Sequence, residues 1–214
     1  VPQEQKNEDT NLPQQKKDIV LEDGSIYNPK FYLNSVKIEG NTVFPPVILE
    51  NMANKITIIG AGQVGSSVAY ALCLKGIATE IVLIDIDEKR AAGEAMDIRQ
   101  GTPYMSPVNI HEGSYEDAKG SNIVIVTSGA ARKPGQSRLD LAQTNVNIFK
   151  SIIPQITRVA PDAIYVLVAN PVDILTYQLA KTSSIPVNRI IGTGTLLDTA
   201  RLRTKIADEY EIQV

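Results

Sequence analysis

A glycine-rich turn between two β-forming runs constrains the fold of this chain more than any other feature. The sequence Gly-Ala-Gly-Gln-Val-Gly occupies residues 60–65, a helical pattern follows it, and the next β-forming run ends at Asp85. Gly60 permits a tight strand-to-helix turn, Gly62 lets the backbone approach a pyrophosphate, and Gly65 lets the helix pack closely on the strand. We therefore predict a dinucleotide-binding βαβ unit, because a glycine turn that binds nothing does not need the correctly spaced acid.

The same unit indicates which dinucleotide it accepts. The helix that begins after Gly62 offers free N–H groups and the positive end of its dipole to phosphate. The carboxylate of Asp85 can accept hydrogen bonds from the adenosine ribose, and its charge repels a 2′-phosphate. The sequence therefore predicts NAD, rather than NADP, as the cofactor.

Composition limits the other classes of function. The chain has 214 residues, of which 43% are hydrophobic, so it can hold one large domain or one domain with an appendage. Its net charge of −3 gives no electrostatic reason to expect a nucleic-acid partner. No apolar run in residues 52–214 approaches the ~18 residues of a membrane-spanning helix. We also predict that these residues hold no metal site. The single cysteine, Cys73, cannot form an internal disulfide, so we predict a buried, inert thiol and a reducing, cytoplasmic compartment.

The composition changes near residue 52. Residues 1–20 contain almost no large apolar side chains, and we predict that residues 1–30 are disordered or linker-like. We predict that residues 31–51 form a foreign, strand-containing stub, because 31–44 resembles the opening strand of POTRA modules in two-partner-secretion transporters. An incidental strand and turn is the alternative interpretation of this stub.

Short apolar runs alternate with longer helical patterns after the stub. Several of these runs are apolar on both faces, which is typical of parallel strands covered by helices. The alternation predicts an α/β fold, a Rossmann-type doubly wound parallel sheet with its ligands at the carboxyl ends of the strands. We place this domain at 52–194, and residues 195–214 would begin a truncated substrate domain. The predicted strands are 55–59, 80–84, 108–111, 122–127, 163–168 and about 189–191, and the predicted helices are near 64–75, 88–100, 139–158, 173–182 and from Leu196.

Three further motifs each follow a predicted strand. A basic Arg-Lys-Pro-Gly-Gln-Ser-Arg loop runs from Arg132 to Arg138, Asn170 precedes a proline, and Asp198 and Arg201 share one face of the last helix. Each motif alone has an ordinary explanation, as solvated loop charges, an Asn-Pro turn or a surface ion pair. Their order after successive strands favours a single active site instead.

Together these motifs resemble the L-lactate/L-malate dehydrogenases, over essentially the whole of the chain from Met52 onward. The resemblance rests on the glycine fingerprint, the basic loop, Asn-Pro-Val-Asp at 170–173 and Gly-Thr-Gly-Thr-Leu-Leu-Asp-Thr-Ala-Arg at 192–201. Members of that family transfer a hydride between the nicotinamide and C2 of a small 2-hydroxy or 2-keto acid, and the resemblance implies a homo-oligomer for the full-length form. It also implies a set of residues that bind the cofactor: Gly60, Gly62, Gln63, Val64, Gly65, Asp85, Arg90, Thr127, Gly129, Ala130, Val168 and Asn170.

The resemblance assigns a role to each polar residue of the later motifs. Arg201 would pair bidentately with the substrate carboxylate, and Arg138, on a mobile loop, would polarise the keto oxygen. Asn170 would hold the substrate oxygen near the nicotinamide, and Asp198 would orient a catalytic histidine.

Arg132 bears on the choice of substrate. In the family this position faces the variable end of the substrate, and it is glutamine in lactate-type members and arginine in malate-type members. A guanidinium can pair with the second carboxylate of oxaloacetate, whereas the methyl group of pyruvate leaves it unpaired. Arg132 therefore favours malate and oxaloacetate. The motifs around Asn170 and Asp198, however, look more like lactate-type sequences. We therefore expect that a name assigned by overall sequence similarity would be lactate dehydrogenase.

The segment that carries the catalytic histidine of the family is not found among the 214 residues of this sequence. This histidine belongs to a Gly-Glu-His-Gly-Asp segment that by spacing would fall shortly beyond Val214. The only histidine, His111, lies at a strand end, and we predict that it is solvated and not catalytic. We therefore expect the chain as it stands not to turn over substrate measurably. Two alternatives remain, a non-catalytic NAD-binding module and an interaction or secretion-related protein that acts through residues 1–51.

Overall fold

The computed structural model describes residues 19–20, 26–27, 53–105, 107–131 and 134–213. The chain divides into two compact units, Val1–Glu50 and Asn51–Val214. In the first unit, strands β1 (Ile19–Val20) and β2 (Ile26–Tyr27) pair in antiparallel orientation. The POTRA-like segment 31–51 and most of the stretch predicted to be disordered lie outside the described residues, so both remain predictions.

The second unit is built on a six-stranded parallel sheet with the strand order β5-β4-β3-β6-β7-β8. Its strands are β3 (Ala53–Ile59), β4 (Ala78–Ile84), β5 (Asn109–Glu112), β6 (Ile123–Val126), β7 (Ile164–Leu167) and β8 (Ile190–Gly192). Its helices are α1 (Gln63–Lys75), α2 (Glu88–Gly101), α3 (Arg138–Val159), α4 (Val172–Thr182) and α5 (Leu196–Tyr210), with short 3₁₀ turns at Thr102–Tyr104, Tyr115–Ala118 and Val187–Arg189. This confirms the predicted Rossmann-type doubly wound sheet.

The strand order reverses between β3 and β6, which creates a crevice at the carboxyl ends of these strands. Ile59 of β3 is in register with Ile84 of β4 and with Val126 of β6, so the three strands end at one level. The N–H of Gly60 donates to the carbonyl of Ile84 at 2.7 Å, and the N–H of Thr127 donates to the carbonyl of Ile59 at 2.9 Å. The glycine turn and the turn after β6 are therefore held side by side.

Apolar side chains cover both faces of the sheet, as the sequence predicts for strands of this composition. A continuous cluster packs α3 and α4 against one face and includes Phe149, Ile156, Tyr165, Leu175 and Leu179. Full burial of each large apolar side chain contributes about 1.5–3 kcal/mol.

Cys73 is buried in α1, as predicted, and burial raises the pKa of its thiol. A raised pKa disfavours the thiolate, so this cysteine has the character of an inert core residue.

The helices end and begin where local chemistry favours it. α1 ends at Gly76, which adopts the left-handed conformation, and α3 begins with a reciprocal capping box between Ser137 and Asp140. In α5 the only buried residue is Ala207. Within the part of the chain that the structure describes, no helix combines the length and the apolar character needed to span a membrane.

Candidate functional site

A cleft of about 530 Å³ lies at the carboxyl ends of the central strands, at the reversal of strand order. This is the place where doubly wound sheets bind their ligands, and the volume lies in the range of small-molecule sites. Seven of the predicted cofactor residues line it: Gly60, Gly62, Asp85, Arg90, Thr127, Gly129 and Ala130.

The three glycines of the turn differ in why they must be glycine. Gly60 has φ of +105°, and a Cβ there would lie 2.8 Å from the backbone nitrogen of Ser128. A Cβ on Gly65 would lie 1.8 Å from the carbonyl oxygen of Gly60. A Cβ on Gly62 would meet no protein atom within 4 Å. The packing of the fold therefore requires glycine at Gly60 and Gly65, whereas at Gly62 it leaves open space on the cleft side.

The N-terminus of α1 is suited to an anion. Its N-cap is Gly62, which provides no side-chain cap, and its first turn has no acidic residue. The backbone N–H groups and the positive end of the helix dipole therefore meet no competing carboxylate from this turn. With the open space beside Gly62, they fit the pyrophosphate of a dinucleotide.

Asp85 stands at the end of β4, where its carboxylate is held by two backbone amides. Its Oδ2 accepts the N–H of Ala61 at 2.7 Å, and its Oδ1 accepts the N–H of Asp87 at 2.9 Å. Each oxygen has a further lone pair that can accept a ribose hydroxyl. Burial raises the pKa of the nearby Tyr115, and the charge of Asp85 raises it further, so the phenol stays neutral.

The other side of the cleft is formed by the turn after β6. Thr127 donates its hydroxyl to the carbonyl of Gly60 at 2.9 Å, which fastens this turn to the glycine turn. The N–H of Ala130 donates to the side-chain oxygen of Asn145 at 2.7 Å, and the side-chain nitrogen of Asn145 donates to the carbonyl of Asn170 at 2.7 Å. The Ala130 turn is thereby linked to the start of the Asn-Pro motif.

Sequence reasoning missed a group of cleft residues on one face of α3, in the turn after β6 and near Asp85. They are Ile86, Tyr115, Ser128, Ile148, Ser151, Ile152 and Gln155. The spacing of the last four by three and four residues is a helical-face signal, but it identifies a cleft wall only once α3 is placed on the sheet. Ile86 is fully exposed beside the aspartate, so the cleft presents an apolar surface to a ligand there.

The remaining predicted cofactor residues do not line this cleft. Gln63 and Val64 are exposed at the start of α1, Gly65 is buried in its first turn, Val168 is half-buried, and Asn170 is exposed.

The predicted substrate residues are on the surface. Arg138 is exposed at the first position of α3. The Nη1 of Arg201 lies 3.2 Å from the Oδ1 of Asp198, and their side chains are 68% and 74% exposed. This contact is the ordinary surface ion pair considered above, and it neither supports nor contradicts a role in binding substrate. Arg132 lies outside the described residues.

His111 is not the solvated side chain that the sequence predicts. Its Nδ1 lies 2.8 Å from the carbonyl oxygen of Glu112, and its Nε2 lies 3.2 Å from the Oε1 of Glu80, which also binds the Nζ of Lys55 at 2.9 Å. The cause is the pairing of β4 with β5, which places Glu80 beside His111 and which a single sequence does not reveal. Burial raises the pKa of Glu80, but the hydrogen bonds from Lys55 and His111 outweigh it, so the net pKa is lowered.

Comparison with known proteins agrees with this geometry. The sequence model of the family described as "lactate/malate dehydrogenase, NAD binding domain" matches residues 54–192. An L-lactate dehydrogenase of Clostridium botulinum (strain Hall) is 51% identical over 166 residues, which cover 78% of this chain and 52% of that protein. L-lactate dehydrogenase 1 of Clostridium acetobutylicum is 51% identical over 160 residues, which cover 75% of this chain and 51% of that protein.

Solved structures of the same kind share the fold. The minor L-lactate dehydrogenase from Enterococcus mundtii superposes with a TM-score of 0.73 at 42% identity, over 76% of this chain and 52% of that one. The malate dehydrogenase from Picrophilus torridus superposes with a TM-score of 0.71 at 39% identity, over 75% of this chain and 51% of that one. The chain thus spans about half the length of the curated relatives it matches.

Proposed function

The chain belongs to the lactate/malate dehydrogenase family and carries its NAD-binding domain, and from this premise we propose that it forms the cofactor half of an NAD-dependent 2-hydroxy-acid dehydrogenase. The observation that carries the proposal is the cleft in which Gly62 faces open space and Asp85 stands at the end of the neighbouring strand. When bound, NAD supplies the nicotinamide that exchanges a hydride with C2 of a small 2-hydroxy or 2-keto acid.

We assign the cofactor contacts from the order in which the turns follow one another across the cleft. The backbone at Gly62 and the start of α1 bind the pyrophosphate, and Asp85 binds the adenosine ribose. The turn at Gly129 and Ala130, on the other side of β3, then receives the nicotinamide half, and Asn170 follows from the next strand.

The substrate half of the site rests on residues that are exposed in this structure. We propose that Arg201 binds the substrate carboxylate, that Arg138 polarises the keto oxygen, and that Asp198 orients a histidine. An exposed pair such as Asp198–Arg201 contributes only about 0–1 kcal/mol, so a substrate carboxylate can displace it at small cost.

We propose that the 214-residue chain binds NADH without measurable turnover of its own. The one histidine of the chain, His111, is engaged with Glu80 in β4, so it is not a partner for Asp198. Loss of a general acid or base reduces the rate by about 10²–10⁴-fold. Steady oxidation of NADH by the pure chain with pyruvate or oxaloacetate would contradict this.

We propose that Arg132 selects oxaloacetate over pyruvate. The support is chemical, since a guanidinium left without its carboxylate partner forfeits a charge-assisted hydrogen bond of about 1.5–3 kcal/mol, or roughly 10–150-fold in kcat/KM. The relatives include proteins named as lactate dehydrogenases and one named as a malate dehydrogenase. In a chain extended with a family-like C-terminal half, Arg132→Gln should shift preference towards pyruvate, and Arg99→Gln, the same charge change on the exposed end of α2, should not. A preference for pyruvate with Arg132 intact would refute the proposal.

We also propose a cytoplasmic location and a homo-oligomer for the full-length protein. The support for a reducing compartment is the buried thiol of Cys73, and the support for association is the exposed apolar side of α5, where Leu202, Ile206 and Tyr210 are 60%, 44% and 72% exposed. Light scattering of the full-length protein would test the association.

The first experiment is a fluorescence titration of the purified chain with NADH. We expect saturable binding that Gly62→Val abolishes, because the added side chain would occupy the space of the pyrophosphate. Failure of the unmodified chain to bind NADH would refute the proposal.

A further inference from the structure

Four polar residues are buried among the described residues. The side chains of three of them bond only to each other or within their own helix. Thr57 of β3 and Ser121, just before β6, bond to each other at 2.7 Å, and Thr157 bonds back to the carbonyl of Ile153 in its own helix at 2.7 Å. Asn145 of α3 differs from these three, because both of its polar atoms bond to backbone groups outside its helix.

The Asn145 amide joins two turns that follow neighbouring strands. Its Oδ1 accepts the N–H of Ala130 after β6, and its Nδ2 donates to the carbonyl of Asn170 after β7, each at 2.7 Å. The amide also lies against Gly129, where a Cβ would be 3.4 Å from the nitrogen. With 3% of its surface exposed, Asn145 itself is shielded from solvent.

The chemistry of the link is specific to a carboxamide. The N–H of Ala130 can only donate and the carbonyl of Asn170 can only accept, so the side chain between them must offer one acceptor and one donor. A carboxylate would satisfy Ala130 but would turn a lone pair towards the carbonyl. A leucine of similar size would leave both backbone groups without this partner.

We propose that Asn145 is a positioning residue that fixes the Ala130 and Asn170 turns around the nicotinamide half of the bound cofactor. The inference rests on the proposed function, because it assumes that NAD occupies the cleft. Gly62 and Asp85, which receive the pyrophosphate and the adenosine ribose, lie on the other side of the strand reversal and are not partners of Asn145. Loosening the link therefore weakens the nicotinamide contacts and spares the adenosine contacts.

The test compares NADH with ADP, which has the adenosine and pyrophosphate groups but no nicotinamide half. The dissociation constants of both ligands are measured for the 214-residue chain, for Asn145→Leu and Asn145→Asp, and for Thr157→Val. Thr157 is the matched control because it is a buried polar residue of the same helix, twelve positions or about 18 Å further along.

We expect both Asn145 variants to bind NADH roughly tenfold more weakly, equivalent to about 1.4 kcal/mol, and to bind ADP within about twofold of the unmodified chain. Thr157→Val should leave the ratio of the two constants unchanged. A merely structural role would weaken both ligands together, so equal weakening, no weakening, or loss of the fold in both Asn145 variants would overturn the inference. Failure of the unmodified chain to bind NADH would instead refute the proposed function, and this inference with it.

Discussion

The glycine turn allows one prediction that separates folding from cofactor binding. Gly62 and Gly65 lie three residues apart, but an added methyl group meets different surroundings at each. At Gly65 it would lie 1.8 Å from the carbonyl oxygen of Gly60 and 2.9 Å from the hydroxyl of Thr127, and at Gly62 it would meet nothing within 4 Å. Gly65→Ala should therefore destabilise the fold, whereas Gly62→Ala should impair only the binding of NADH.

The expected loss of stability at Gly65 follows from these distances. An ordinary contact needs 3.4 Å or more, so α1 must retreat from β3 or the turn must deform. Overpacking of this kind costs about 1–3 kcal/mol, and loss of the hydrogen bond from Thr127 to Gly60 adds about 1 kcal/mol. For a domain of this size, each kcal/mol lowers Tm by about 2–4 °C, so Gly65→Ala should lower Tm by roughly 5–15 °C.

Two small and opposite effects govern the stability of Gly62→Ala. The backbone at Gly62 has φ of −76° and ψ of −173°, which alanine adopts without strain. Alanine restricts the unfolded chain and stabilises the fold by about 0.4–1 kcal/mol, but it is a poorer N-cap than glycine by a similar amount. The net change should stay within about 1 kcal/mol, while the methyl group projects into the space of the pyrophosphate and weakens NADH binding at least tenfold.

Thermal unfolding followed by circular dichroism without ligand, together with titration with NADH, checks both halves of this prediction. If Gly62→Ala lowered Tm as much as Gly65→Ala, the distinction between packing and ligand glycines would be wrong. If Gly62→Ala bound NADH like the unmodified chain, the pyrophosphate would not lie against this residue.

Two further predictions concern carboxylates of β4 and of the turn that follows it. The pKa of Glu80 is lowered because hydrogen bonds from Lys55 and His111 outweigh the effect of burial. The charge of Glu80 therefore stabilises the fold at pH values above the ordinary pKa of 4.5. This stability is lost as the pH falls through the lower pKa of the folded state. Glu80→Gln should therefore flatten the fall of Tm with decreasing pH below about 4.5, and an unchanged slope in thermal unfolding would contradict this. Asp85→Asn keeps an acceptor for the N–H of Ala61 but removes the charge, so the preference for NADH over NADPH should fall by about tenfold or more. Titration of the unmodified chain and of Asp85→Asn with both cofactors gives the ratio of the two dissociation constants for each protein. The same ratio in both proteins would refute the assignment of Asp85 to the adenosine ribose.

The fold and the position of the glycine turn beside Asp85 were predictable because they depend on short-range patterns. The glycine turn and Asp85 belong to one βαβ unit, so their spacing in sequence determines their spacing in the fold. The alternation of buried strands with helices then leaves a parallel doubly wound sheet as the arrangement that covers both faces.

The rest of the site depends on contacts between distant segments. Asn145 lies in the middle of an amphipathic helix, and nothing local shows that it bonds to Ala130 and Asn170. The error at His111 has the same cause, because its partner Glu80 is 31 positions away and becomes a neighbour only through the register of two strands. Sequence spacing therefore identifies which residues end a strand, but not which side chains behind the cleft hold those ends in place.

The structure also separates two requirements that a complete dehydrogenase must meet together. The proposed cofactor contacts lie on turns that are fixed to the sheet by backbone and side-chain hydrogen bonds. Arg201, by contrast, shares an exposed ion pair in which water screens its charge, and the same guanidinium would bind a carboxylate far more strongly where water is excluded. The proposed role of Arg201 therefore depends on a surface that removes solvent from the guanidinium. Extension of the chain with a family-like C-terminal half should therefore leave the affinity for ADP unchanged. It should change only the binding and reaction of substrate beside the nicotinamide.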